Sequence, residues 1–196
     1  AKIIFLQNNA IGLSSSLAAN NNTNNSNINP NLNALAQSLI TNCCLIGINI
    51  SQNNLGFSGA KLLCEVITHN DRIKWLNISS NQLCDEGACY IAIALEKNKS
   101  LKWLELNDNK ICYLGIEKIS EALIINRCLK KLEIGNNNFG DTGIVKISTM
   151  IKINNTLDWL DLSSNKISIT GIKILFQALS ENKVLKYVNL WDNNAT

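Results

Sequence analysis

The sequence predicts a right-handed α/β solenoid, with a parallel sheet on its concave side and helices on its convex side. Three observations carry that expectation. The phrase that starts at Ile73 restarts at Leu101, Leu129, Leu157 and Leu185, and a step back of 28 residues reaches Leu45. Each copy opens on an LxxLxL run, whose alternation is that of a short strand buried on one face. Each copy then places apolar residues three and four apart, as in Ile116, Ile119 and Leu123, which makes one buried helical stripe. One such unit cannot bury its own stripe, so neighbours must stack.

The repeat divides the chain, read as a single domain, into 1–44, 45–72, 73–100, 101–128, 129–156, 157–184 and a partial copy at 185–196. Written as a pattern, a copy reads LxxLxLxxNxIxxxGxxxIxxALxxNxx. Position nine is Asn53, Asn81, Asn109, Asn137, Asn165 and Asn193, where the chain leaves the strand. Ser58, Thr142 and Thr170, or Asp85 and Asp141, are candidates to cap the helices that follow. Position fifteen is Gly and position twenty-six Asn in each full copy after the first. The first copy is irregular: Ile4 and Leu6 point inward, Asn9 takes the Asn position, and the helix runs from Leu32 to Asn42 with Leu32, Leu35 and Leu39 buried. Between strand and helix lies an Asn-rich insert, 12–31, expected to be a polar, mobile loop. Both ends fall where a longer repeat array would continue.

This pattern resembles the leucine-rich repeat, and its 28-residue length and LxxALxxN helix are similar to the ribonuclease-inhibitor-like subfamily. The resemblance implies a leucine-rich-repeat horseshoe in which the position-nine Asn side chains satisfy turn backbone and stack as a ladder. It also implies a non-enzymatic protein-binding module that docks its partner on the concave face. Inhibition of a partner enzyme by covering its active site is the sharpest version of that expectation. Repeats of this type also occur among effectors that intracellular bacteria deliver into host cytosol, and the Ile/Asn/Lys-rich composition suits an AT-rich genome. A GTPase-activating protein resembling the Ran-specific activators, or the sensing array of an immune receptor, are the alternatives.

The register turns the strands into a map of the concave face. Position three is Ile3, Gly47, Trp75, Trp103, Lys131, Trp159 and Tyr187, and Trp191 stands at position seven. All four Trp residues are therefore expected to face outward. Strands lie about 4.8 Å apart, which makes Trp75 and Trp103 neighbours and places Lys131 over the rings of Trp103 and Trp159. Beside them run Glu105, Glu133 and Asp161 at position five, with Asp108 and Asp192 flanking at position eight. An aromatic strip rimmed by charge has the composition of a protein interface. Its carboxylates ask for a partner with a basic or mixed-charge patch, an enzyme among the candidates. The competing reading is that stacked rings cover one another and need no partner.

Other classes find little support. The chain is 46% hydrophobic and 17% charged, and its net charge of +3 does not argue for nucleic acid or an anionic membrane. No apolar run is long enough to span a bilayer. No GxxxxGK[ST] or GxGxxG cradles a phosphate, and no cofactor or metal is expected. The one His, His69, falls at a helix end, which leaves no Ser–His–Asp or Cys–His chemistry. The seven Cys residues show no CxxC pairing and read as reduced thiols in a cytoplasmic protein. Cys84 and Cys112 share position twelve of adjacent repeats and are expected near one another. Lys2, Lys74, Lys102, Lys130 and Lys186 recur at position two and read as a solubilising rim.

Overall fold

A computed structural model describes residues 2–12 and 30–194. From 13 to 29 the Asn-rich insert lies outside the described residues, as does its expected mobility. Strand and helix alternate among the described residues. The strands are β1 (Lys2–Phe5), β2 (Leu45–Asn49), β3 (Trp75–Asn77), β4 (Trp103–Glu105), β5 (Lys131–Glu133), β6 (Trp159–Asp161) and β7 (Tyr187–Asn189). The helices are α1 (Pro30–Ile40), α2 (Gly56–His69), α3 (Cys84–Lys97), α4 (Tyr113–Ile125), α5 (Gly140–Ile153) and α6 (Ile169–Glu181).

All seven strands form one parallel sheet in sequence order. The register is the repeat period itself: Trp75 pairs with Trp103, Leu76 with Leu104 and Asn77 with Glu105. Packed helices need 8–10 Å between axes and paired strands about 4.8 Å. The mismatch bends the stack so that the sheet takes the inside of the curve.

The position-four residue of each inner strand, from Ile48 through Leu76, Leu104, Leu132 and Leu160, is buried against the helices. Ile116, Ile119 and Leu123 are buried as the helical spacing predicts. In α1 the structure corrects the expectation: Leu32 and Leu39 are buried, but Ala36 takes the third buried position and Leu35 is half-buried. Gly115 shows why position fifteen is Gly, since a Cβ there would stand 2.9 Å from that of Ala88 in the previous repeat and 2.8 Å from Ile111.

Two Asn ladders hold the turns. Asn109 is fully buried. Its Nδ2 donates to the carbonyls of Ile78, Leu106 and Asn107 at 3.0–3.2 Å, and its Oδ1 accepts from the Asn81 N–H at 2.9 Å. Asn53, Asn81, Asn137 and Asn165 repeat the arrangement. The second ladder lies at position twenty-six, on the opposite edge. Asn98 Nδ2 donates to the carbonyl of Ile67 at 2.6 Å, near the end of the preceding helix, and its Oδ1 accepts from the N–H groups of Ser100 and Leu101. Buried backbone groups are thus paired by side chains where the chain is neither helix nor strand.

The helix caps depart from expectation. Only α6 shows a side-chain cap among the described helices with assigned caps, and the cap is Ser168, which accepts from the Thr170 N–H at 3.1 Å. Asp85 and Asp141 serve the next repeat: Asp85 Oδ1 accepts from the Cys112 N–H at 2.7 Å, and Asp141 Oδ1 accepts from the Ser168 N–H at 2.8 Å. The Thr142 hydroxyl donates to the carbonyl of Phe139. Stacking places each Asp within reach of the following turn, which spacing within one copy does not reveal.

Candidate protein-binding face

Alternation in the strands turns positions three, five and seven away from the helices, and the sheet aligns them in rows. Trp75, Trp103 and Trp159 are half-buried, and Trp191 is 75% exposed. None belongs to the core, as the register predicts. The Trp75 and Trp103 ring centroids lie 5.7 Å apart at 48°, and Trp159 stacks on Tyr187 at 3.8 Å and 18°. Lys131 bridges the two pairs, with its Nζ 3.9 Å from the Trp103 ring centroid and 4.3 Å from that of Trp159. The same ammonium pairs with Glu133 at 2.9 Å. The indole Nε1 atoms of Trp103 and Trp159 are buried and make no hydrogen bond.

The row runs further than the Trp residues alone. Phe5, 59% exposed, lies 6.0 Å from Trp75, although Gly47 stands on the strand between them. A Cβ on Gly47 would come 2.8 Å from Cε3 of Trp75, so the missing side chain is the space into which the indole leans. Ile3 is 49% exposed beside it. Phe5 and Ile3 extend the strip to the first strand. Phe5 occupies position five, where the other copies are polar, and its register row gave no aromatic signal.

The acidic row is more occupied than sequence suggests. Glu105 accepts from Trp75 Nε1 at 2.7 Å and from Asn77 Nδ2 at 2.6 Å. Burial pushes its carboxyl above the ordinary value, as does the neighbouring Glu133; the Trp75 and Asn77 hydrogen bonds and the Lys131 charge oppose that rise. Asp161 accepts from the Ser163 N–H at 2.8 Å and from Asn189 Nδ2 at 2.9 Å. Asn49, Asn77 and Asn189 make the same short-range bond to position seven, so Asp161 also closes a local turn. Asp108 and Asp192 sit at position eight, where every copy has left-handed backbone, with φ of 55° and 57°. Asp and Asn visit that conformation more readily than most residues, and the two carboxylates accept from Ser80 and Ser164, each at 2.9 Å. Only Glu133 in this row meets a cation, Lys131, among the described residues.

The remaining candidates fall apart from this face. His69 is exposed at the end of α2, with Nδ1 2.8 Å from the Glu65 carbonyl. The cysteines are free thiols, and Cys84 and Cys112 each donate to a carbonyl two residues back. Among the described residues, no cluster of His, Cys, Asp and Glu could hold a metal ion. No helix there is long and apolar enough to cross a membrane.

Comparison with known proteins agrees with the architecture. The family model described as "Leucine Rich repeat" matches residues 126–148. No curated protein matches the chain by sequence. Among solved structures, the actin-binding site 2 of leiomodin-1 superposes with a TM-score of 0.66 at 23% identity, over 74% of this chain and 86% of that one. The C-terminal domain of Caenorhabditis elegans tropomodulin gives 0.64 at 15% identity, over 76% and 92%. TLR13, in complex with ssRNA13, gives 0.50 at 19% identity, over 81% of this chain and 20% of that one. These similarities are to the fold.

Proposed function

We propose, from the premise that this chain is a leucine-rich-repeat protein, that it is a non-enzymatic interaction module whose concave face binds another protein. The observation that carries the reading is the aromatic strip from Phe5 through Trp75, Trp103 and Trp159 to Tyr187, with Trp191 75% exposed beyond it. Rings account for part of one another's burial, yet Phe5, Tyr187 and Trp191 stay open to solvent where a partner would reach them. Exposed aromatics are where interface energy concentrates, at about 2 kcal/mol or more per hot spot. The carboxylates of Asp108, Asp161 and Asp192 lack a cation among the described residues, which favours a basic surface on the partner.

Actin is the first partner to test, because the leiomodin-1 unit of like fold is an actin-binding site. Enzyme inhibition is a narrower form of the same reading and rests on the resemblance to ribonuclease inhibitor. The test is co-sedimentation with actin and a parallel pull-down, comparing the native chain with Tyr187→Ala/Trp191→Ala. Those exposed truncations leave the core intact, so circular dichroism should not change. A protein bound by the native chain and lost by the variant supports the concave face. Equal capture by both would sink the proposal. Stimulated GTP hydrolysis by Ran would favour the GTPase-activating alternative instead.

A further inference from the structure

The fold sorts charges that the net total conceals. Every strand begins and every helix ends on one edge of the solenoid, so position two and the turn before it share a surface. Lys74, Lys102, Lys130 and Lys186 stand there, all exposed, and the preceding turns add Arg72, Lys99, Arg127 and Lys183. Carboxylates are fewer along this edge: Asp71, Glu96, Asp158 and Glu181, of which Glu181 already pairs with Lys152 at 2.8 Å. Helix C-termini would ordinarily make such an edge negative and use lysines as caps. Here the position-twenty-six Asn amides donate to those carbonyls, as Asn70 does to Leu39 at 2.7 Å and Asn98 to Ile67 at 2.6 Å. Arg127 joins them at the Ile124 carbonyl, Lys102 reaches the carbonyl and thiol of Cys128, and none of Lys74, Lys102 and Arg127 pairs with a carboxylate among the described residues.

A surface depression lies on this edge. It lies between the ends of α2 and α3, has a volume of about 230 Å³, and is lined by His69, Asp71, Lys74, Lys97, Lys99 and Ser100, with neighbouring backbone. Lys97 and Lys99 are exposed and form no ion pair among the described residues. Lys74 Nζ reaches the main-chain carbonyl of Asp71 at 3.3 Å. Asp71 supplies the one carboxylate of the lining.

We propose that this depression is a binding site for a phosphate-bearing anion. Three ammonium groups around one hollow call for more than a single negative charge. A phosphate meets them with several acceptor oxygens, each able to take a charge-assisted hydrogen bond. Lysines suit it, being point charges with rotatable donors rather than a planar fork matched to one carboxylate. The lining holds no Trp, Tyr or Phe, and its one ring is the His69 imidazole, so the row of stacking platforms that marks a single-strand nucleic-acid channel does not occur there. It is separate, too, from the aromatic strip, which lies on the sheet face.

The test is titration of the ¹⁵N-labelled chain with sodium pyrophosphate, followed by NMR. Saturable shifts confined to residues 68–74 and 97–100 are expected. Lys97→Ala/Lys99→Ala should weaken binding by about tenfold or more, as loss of two charge-assisted contacts implies. Lys61→Ala/Lys173→Ala, exposed on α2 and α6, should leave it unchanged, and Asp71→Asn should tighten it. Flotation with phosphatidylcholine vesicles, with and without a phosphoinositide, distinguishes the source: capture reversed by pyrophosphate assigns a lipid headgroup, and pyrophosphate binding without capture assigns a soluble phosphate. No saturable shift, shifts spread over all lysines, or equal affinity for a triglutamate peptide would overturn the proposal.

Discussion

The indole N–H of Trp75 on β3 donates to Oε1 of Glu105 on β4 at 2.7 Å, so an aromatic ring of the concave face is tied to a partly buried carboxylate of the next strand. Burial is the main reason the Glu105 carboxyl lies above its ordinary value, and the Trp75 hydrogen bond is the largest opposing effect. A folded-state value above the unfolded one means that protonated Glu105 favours the fold. That contribution is fully present below the unfolded carboxyl value and is lost as pH rises through the folded value. Trp75→Phe removes the donor, so NMR titration should place Glu105 higher still. A Glu105 titration unchanged by Trp75→Phe would show that the bond does not form in solution.

Lys131 is held between two rings and one carboxylate. Lys131→Met keeps the stem and removes the charge, deleting the contacts to Trp103 and Trp159 and the Glu133 ion pair. The group is partly solvent-exposed, so the expected loss is about 1 kcal/mol. Urea denaturation measures it, and tryptophan emission should shift because the cation leaves two indole faces. An unaltered spectrum would place the ammonium elsewhere.

The position-nine ladder predicts a graded series. Asn109→Ala strands the buried Asn81 N–H and takes one of two donors from each of the Ile78, Leu106 and Asn107 carbonyls, which keep Asn81 Nδ2, Asn137 Nδ2 and the Ser80 N–H. A loss of about 2 kcal/mol or more in denaturant experiments is expected, since a stranded buried group costs roughly 1–3 kcal/mol and each further lost hydrogen bond about 1 kcal/mol. Asn193→Ala, half-buried in the last turn, should cost less. Equal effects at the two positions would contradict the ladder's dependence on burial.

Gly47 sets the path of the aromatic strip. In Gly47→Ala the new Cβ would stand 2.8 Å from Trp75 Cε3 and 3.2 Å from Ile3 Cγ1. The indole has to move, at a cost of about 1–3 kcal/mol. Near-ultraviolet circular dichroism should report a changed Trp75–Trp103 coupling, while the far-ultraviolet helix signal stays constant. An unchanged aromatic spectrum would mean that the ring does not lean over Gly47.

The architecture was legible because the period does two jobs. A 28-residue repeat fixes which residues stack, and LxL alternation fixes which of them face the helices, so the sequence alone places Trp75, Trp103, Lys131, Trp159 and Tyr187 in one row. What remained hidden involves atoms that meet across repeats in ways residue type does not reveal. The spacing of Asp85 and Asp141 suits a cap of their own helix, yet each carboxylate accepts from the turn of the following copy.

The sequence by itself determined the solenoid, its strand register and the outward direction of every Trp, because periodicity and alternation are local properties that stacking preserves. Only the tertiary structure decided how the outward groups are used. It joined Phe5 to the strip across Gly47 and drew Lys131 onto two rings. It also enlisted Asp161 in a turn and gathered Lys74, Lys97 and Lys99 around a hollow between the ends of α2 and α3. The placements of Phe5 and Lys131 in the strip depend on distances of a few ångströms between side chains of different repeats, set by helix width, strand spacing and the volume each neighbour leaves empty.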